Sequence, residues 1–358
     1  MGRIHSDVES LLVSRSLLIR KMSIGFALVL VICAAFYLRA LHRRPPPQTA
    51  YAANSQVTLW DTTAQVRAPV ATVDFGERLT VLDRFEDQAR VRTAKGDTGW
   101  INSDDLLSAA LWQQMNSLDA TADGLPIEAR GHTRVLSNLH IAPGRTFPRI
   151  SQLGKDIPVD LLERRVMEAP AAPASTAASS GENGEAPANE STEPRKEDWW
   201  LVRAHVADHT PLAGWVLGRF VDLDVPAPLP NYTASAGMRI VAWFELNRVA
   251  GASDQTVPQY LVVGIRGPEG QPCDFTLLRV FTWSQKRQRY ETAFVESDVC
   301  GQLPVRLVPA AEPGGDASFS FADASDGAPA DRSYRMHQTV VRRVGDAGSA
   351  RAAQARAH

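Results

Sequence analysis

A strand-forming pattern that ends in Gly-Trp-hydrophobic occurs twice in this chain, and the duplication constrains the fold more than any other feature. The run GERLTVL starting at Gly76 matches GKDIPVDL starting at Gly154, an offset of 78. Gly99-Trp100-Ile101 matches Gly214-Trp215-Val216, an offset of 115. The difference of 37 residues places an insertion inside the second copy. In the first copy, residues 57–60, 70–73, 78–82, 89–93 and 99–101 alternate apolar and polar side chains, which predicts half-buried β-strands. The insertion itself, residues 168–196, is rich in Ala, Pro, Ser and Glu and has no large aliphatic residue before the Trp pair. Such a segment buries too little apolar area to offset its ordering entropy, so a disordered loop is expected there.

In front of the repeat, residues 22–38 carry no charge and form an apolar run of 17 residues, the short end of a membrane-spanning helix. Arg39, Arg43 and Arg44 follow it, and Pro45, Pro46 and Pro47 stop the helix and begin a stiff spacer over 39–54. Ala50-Tyr51-Ala52 resembles a processing site but lies well beyond the apolar run, so an uncleaved anchor is the reading taken, with residues 1–21 cytoplasmic. Flanking charge is nearly balanced and leaves the orientation open. Over the whole chain, 38 Lys+Arg against 40 Asp+Glu give no broad basic surface for nucleic acid.

With these residues in hand, Asn138-Leu139-His140-Ile141-Ala142-Pro143, Ile150 to Leu153, Gly154, Trp200 to Arg203 and Gly214-Trp215-Val216 resemble a bacterial SH3 (SH3b) domain. The first copy resembles the same family through Leu59, residues 70–73, Gly76, Val91 and residues 98–101. It departs from the pattern at Gln88-Ala89, where an aromatic is usual. The resemblance covers residues 55–108 and 132–224. It implies two small β-barrels, and a role in binding peptidoglycan peptides, other wall polymers or proteins. Residues 109–131 read as a linker, and Asp104-Asp105 reads as the cap of a helix over 106–115.

Candidate binding residues are Trp60 and His140, which occupy equivalent positions after a buried-type leucine and so point outward by strand alternation. Trp199 and Trp200 join them, since adjacent strand residues face opposite ways and one of the two is expected at the surface. Gly76, Gly99, Trp100, Gly154, Gly214 and Trp215 are taken as structural, the tryptophans as barrel-core residues. His205 and His209 lack the helix and the Glu of a zinc-protease pair, and read as solvated loop residues. No metal or cofactor site is expected.

Residues 233–345 alternate through about seven further strands without long helical patterns, which predicts an antiparallel sandwich or barrel. Cys273 precedes one strand of a hairpin and Cys300 follows its partner, so antiparallel pairing brings them together as a disulfide. Residues 346–358 read as a disordered tail. The fold class is therefore mainly β: one transmembrane helix, two SH3b-type barrels and a C-terminal β-domain outside the cytoplasm. The expected function is non-catalytic binding in the bacterial envelope, to peptidoglycan or to a protein partner. The rivals are a wall hydrolase with its catalytic site in the C-terminal domain, and a structural assembly factor. Gly-x-Ser-x-Gly, His-Glu-x-x-His and the phosphate loop are all missing, and no His-containing motif follows either distal cysteine.

Overall fold

The computed structural model describes residues 48–170, 195–206, 211–234, 236–251 and 255–344. The expected anchor (22–38), most of the insertion and the C-terminal tail lie outside the described residues. Among the described residues, no helix is long and apolar enough to cross a membrane. The described chain is mainly β and its sheets are antiparallel.

The first unit contains β1 (Gln48–Ala52), β2 (Val57–Trp60), β3 (Pro69–Val73), β4 (Arg78–Phe85), β5 (Gln88–Arg92), β6 (Thr98–Asn102) and β7 (Leu106–Ser108). The second contains β8 (Ala129–Thr133), β9 (Ser137–His140), β10 (Arg149–Leu153), β11 (Pro158–Glu168), β12 (Lys196–Ala204), β13 (Leu212–Leu217) and β14 (Val221–Leu223). Strand order is β3-β2-β6-β5-β4-β1-β7 in the first and β10-β9-β13-β12-β11-β8-β14 in the second, the same order twice. β1 lies in the stretch read from sequence as spacer. It pairs with both β4 and β7, and so joins β7 to the first sheet. In the first unit the inward set Ala50, Leu59, Leu79, Val81, Ala89, Val91 and Ile101 meets in one cluster. Side chains from one face of a single sheet form a shared core only if the sheet curls round them.

Pairing register corrects the sequence alignment. Val81 faces Val91 as Leu161 faces Val202, and Val91 faces Gly99 as Val202 faces Gly214. The offset is thus 80 across β4 and β11, 111 across β5 and β12, and 115 across β6 and β13. Of the additional residues, 31 lie in the β11–β12 hairpin and four in the turn after it. Gly76 (φ +77°) therefore corresponds to Asp156 (φ +61°), not to Gly154. The turn needs a left-handed backbone, which Asp tolerates better than most residues, and matching glycine to glycine slipped the alignment by two.

Between the units runs α1 (Ala109–Asp123), whose N-cap is Ser108, its side chain accepting from the Leu111 N–H. Asp104 and Asp105 sit instead in a short 3-10 turn capped by Asn102, so they do not cap the helix. One side of α1 lies on the first unit. Trp112 stacks on Tyr51 with ring centroids 4.6 Å apart, and it covers Gly76. The other side carries Leu118 and Ala122 onto the second unit.

The last sheet holds β15 (Arg239–Ala250), β16 (Thr256–Ile265), β17 (Phe275–Ser284), β18 (Arg289–Val308), β19 (Ala317–Asp323), β20 (Ala330–His337) and β21 (Val340–Arg343). They pair strictly in chain order, a seven-stranded meander in one sheet rather than two stacked sheets. β18 runs unbroken for 20 residues, and its register shifts let it bend without breaking. One face, with Leu278, Val280, Phe319, Phe321 and Tyr334, belongs to an apolar cluster that continues into the core of the second unit. The other face, with Tyr260, Phe281 and Tyr290, packs against Leu229 of α2 (Leu229–Ala234). Cys273 and Cys300 form the expected disulfide, with Cα atoms 4.9 Å apart.

Candidate functional site

Each residue singled out from the sequence has a definite place, and burial separates them into two groups. On β6, Gly99 and Ile101 face the core, so Trp100 points outward and is half-buried. Its register partner on β2 is Trp60, also half-buried. An added Cβ at Gly99 would lie 2.8 Å from Leu59 Cβ, so glycine is required for the two strands to approach. The Asp61 N–H donates to the Ala68 carbonyl, and the Ala68 N–H donates to the Asp61 side chain. That closed loop sets Arg67 over Trp60, with its guanidinium carbon 4.3 Å from the ring centroid. Arg90 and Arg92 alternate with buried Ala89 and Val91 on β5, and so share the outer face with Trp100.

The equivalent face of the second unit is sealed. His140 pairs with Trp215 as Trp60 pairs with Trp100, but His140 is only 9% exposed. Its Nδ1 lies 2.9 Å from the Phe147 carbonyl, and the Trp199 ring meets it edge-on at 5.3 Å. Trp199 and Trp200 do face opposite ways, yet neither reaches the surface. Trp199 joins Leu201, Trp215, Leu217 and Ala122 beneath α1, and Trp200 joins the cluster shared with the C-terminal sheet. The outward exposure expected for His140 and for one of the Trp pair is therefore not found, because other elements cover both sides of β12. Trp215 is buried as expected, but on the outer face under the helix and not in the barrel core. Gly214 is tightly constrained, since an added Cβ would collide with Leu139. Gly154 is not: the nearest atom to its Cβ position, on Ile157, is 4.0 Å away.

Buried charge ties the second unit to the C-terminal sheet. Asp198 accepts from Arg164 (2.5 Å), from the Gly270 N–H (2.9 Å) and from Arg239 (3.4 Å). Arg164 also donates to the Cys273 carbonyl and to Asp274, both at 3.1 Å. Glu197 is held by both nitrogens of an Arg145 fork at 2.9 and 3.0 Å and by Arg219 at 2.9 Å. The Arg145 bonds, against the effect of burial, hold its carboxyl below the usual range. Beside this network lies a cleft of about 740 Å³ whose walls include Trp200, Met238 and Arg239. Its arginines are already committed to carboxylates, which marks the network as docking between units.

His205 pairs with Asp160 at 2.8 Å, and His209 lies outside the described residues. Among the described residues, no group of three or more His, Cys, Asp or Glu side chains is placed to hold a metal ion.

No family model matches the chain, and no curated protein matches it. Among solved structures, similarity is found to an NlpC/P60 family protein from Bacillus cereus, 13% identical with a TM-score of 0.20. That match covers 56% of this chain and 64% of the other, so the chain spans a little under two thirds of that protein's length. A second is NlpC2 from Trichomonas vaginalis, 10% identical with a TM-score of 0.17, covering 82% of this chain and 98% of the other. Likeness at this level carries no inference about what this chain does.

Proposed function

We propose that this is a non-catalytic binding protein of the bacterial cell envelope, held to the membrane by residues 22–38, with SH3b-type units outside the cytoplasm. Its contact surface is the Trp60/Trp100 face of the first unit, which engages a peptidoglycan strand or a protein partner. The observation that carries the reading is the contrast between the two faces. The same strand positions are sealed beneath α1 in the second unit, and in the first they carry two half-exposed tryptophans with Arg67, Arg90 and Arg92. Flat aromatic faces beside guanidinium groups suit a ligand with apolar and anionic parts.

Two features support the binding reading over hydrolysis and over a cytoplasmic location. Cys273 and Cys300 are bonded to one another, so neither is a thiolate nucleophile. A structural disulfide is also expected where the compartment is oxidising. Alkaline phosphatase fused after Ala53 should be active, and an inactive fusion there would remove the envelope placement. For binding, the full-length chain is mixed with peptidoglycan sacculi and, separately, with solubilised envelope proteins. Whatever the wild type retains, the Trp60→Ala/Trp100→Ala variant should lose. Equal retention by that variant would overturn the assignment of the face.

A further inference from the structure

The occupied counterpart of the open face shows what kind of element sits there. Register equates Trp100 with Trp215, Arg92 with Arg203, Thr98 with Ala213, Arg90 with Leu201 and Gln88 with Trp199. In the second unit these positions receive the C-terminal half of α1. Arg203 Nη2 donates to the Ala122 carbonyl at 2.7 Å and stands 3.4 Å from the Asp123 carboxylate. The Ala213 N–H donates to Asp119 Oδ1 at 2.6 Å, and Ala122 packs with Trp215 in one apolar cluster. The last turn of a helix leaves carbonyls without partners and carries the negative end of the dipole, so an arginine is suited to receive it.

The first unit keeps the parts of this receiver that recognise a helix end and changes the parts that seal it. Arg92 stands where Arg203 stands, and Trp100 where Trp215 stands. Trp199 and Leu201 give way to Gln88 and Arg90, which do not need permanent cover from water. Arg67 lies over the Trp60 ring, Arg90 has Asp83 as its register partner on β4, and Arg92 faces Thr80, so the face carries three arginines against one carboxylate in register with them.

We propose that the Trp60/Trp100 face receives an acidic α-helix of a partner protein, its C-terminal turn on Arg92 as that of α1 lies on Arg203. The proposal rests on the reading of this face as the contact surface, and selects a protein helix over a wall polymer as its ligand. The helix would carry a small apolar residue against Trp100 and carboxylates opposite Arg90 and Arg92, the pattern of Asp119, Ala122 and Asp123 in α1.

The probe is a fluorescein-labelled peptide with the sequence of residues 109–125, which carries two Asp and no basic residue. Its binding to the full-length chain is read by fluorescence anisotropy. Arg92→Glu should weaken binding at least tenfold, and Arg90→Glu, also at an exposed position, should weaken it in the same direction. A peptide with Asp119→Lys and Asp123→Lys, and one with Ala120→Pro, which breaks the helix without changing charge, should each bind at least tenfold more weakly. Equal binding of the Ala120→Pro peptide, or binding insensitive to Arg92→Glu, would overturn the proposal. So would failure of the acidic peptide to bind while sacculi bind in a Trp60-dependent way, an outcome that leaves the contact surface standing. Indifference of both probes to Trp60→Ala/Trp100→Ala would overturn the surface as well.

Discussion

Replacing Glu128 with Gln should make the protein more stable above neutral pH and leave it unchanged in mild acid. Glu128 lies between α1 and β8, is 3% exposed and has no ion pair among the described residues. Its side chain accepts one long hydrogen bond, 3.4 Å from the Val305 N–H across the junction with the C-terminal sheet. Charged groups lining the same junction are Glu163, Arg164, Arg165 and Asp274, and Arg164 is committed to Asp198 and Asp274. Burial pushes the Glu128 carboxyl up, with a further contribution from Asp274 that the Val305 bond only partly opposes, to about 7. Below pH 4.5 the group is protonated folded or unfolded and has no effect on the difference. Between 4.5 and about 7 the unfolded chain releases the proton and the folded chain keeps it, so stability falls as pH rises. A displacement of this size amounts to about 3 kcal/mol, lost in full above pH 7. Gln keeps an acceptor for the Val305 N–H and does not titrate. Urea denaturation at pH 4 and pH 8 should therefore show near-equal proteins at the lower pH and a more stable variant at the higher, by about 2–3 kcal/mol. Identical pH slopes for the two, or a variant weaker at pH 8, would refute the reasoning that burial holds the proton.

Three further substitutions test the framework around the candidate face. Cys273→Ser opens a loop whose ends are 27 residues apart in sequence, and should cost the C-terminal sheet roughly 3–4 kcal/mol by loop-closure entropy. Hydrogen exchange should accelerate in β17 and β18 while the core amides of β5 and β6 stay protected, and an unchanged exchange pattern would count against the disulfide as a stabiliser. Gly76→Ala should destabilise by about 1–3 kcal/mol, because φ is +77° and the new methyl would lie 2.8 Å from Trp112. Gly96→Ala, at φ +99° with open space around it, shows backbone strain alone, and thermal melting should find the smaller loss there.

Part of the candidate face was legible beforehand. Trp60 follows a buried leucine, and alternation alone turns it outward. Trp100 was assigned to the core because Gly-Trp-hydrophobic marks a terminal strand without saying which face its Trp occupies. The buried residues Gly99 and Ile101 on either side of it carried the missing signal. Arg90 and Arg92 could have been found in the same way, since they alternate with Ala89 and Val91. Arg67 could not, because a closed loop brings it onto Trp60 and no periodicity describes that approach.

Sequence by itself determined the strands of the repeat other than β1 and β8, which fall in stretches read as spacer and linker, together with the duplication, the position of the insertion and the partnership of Cys273 with Cys300. All of these depend on alternation, turn residues and chain order, which are properties of neighbouring residues. Tertiary structure alone decided which outward faces meet water. His140 and Trp60 leave their strands in the same direction, but α1 covers the second unit's face and leaves the first's open. Trp199 and Trp200 are both buried because a helix lies on one side of β12 and the C-terminal sheet joins the cluster on the other. A strand's own sequence fixes the direction in which a side chain points. What lies in that direction is set by the packing of elements distant in the chain, where burial of apolar area between whole units outweighs any local preference.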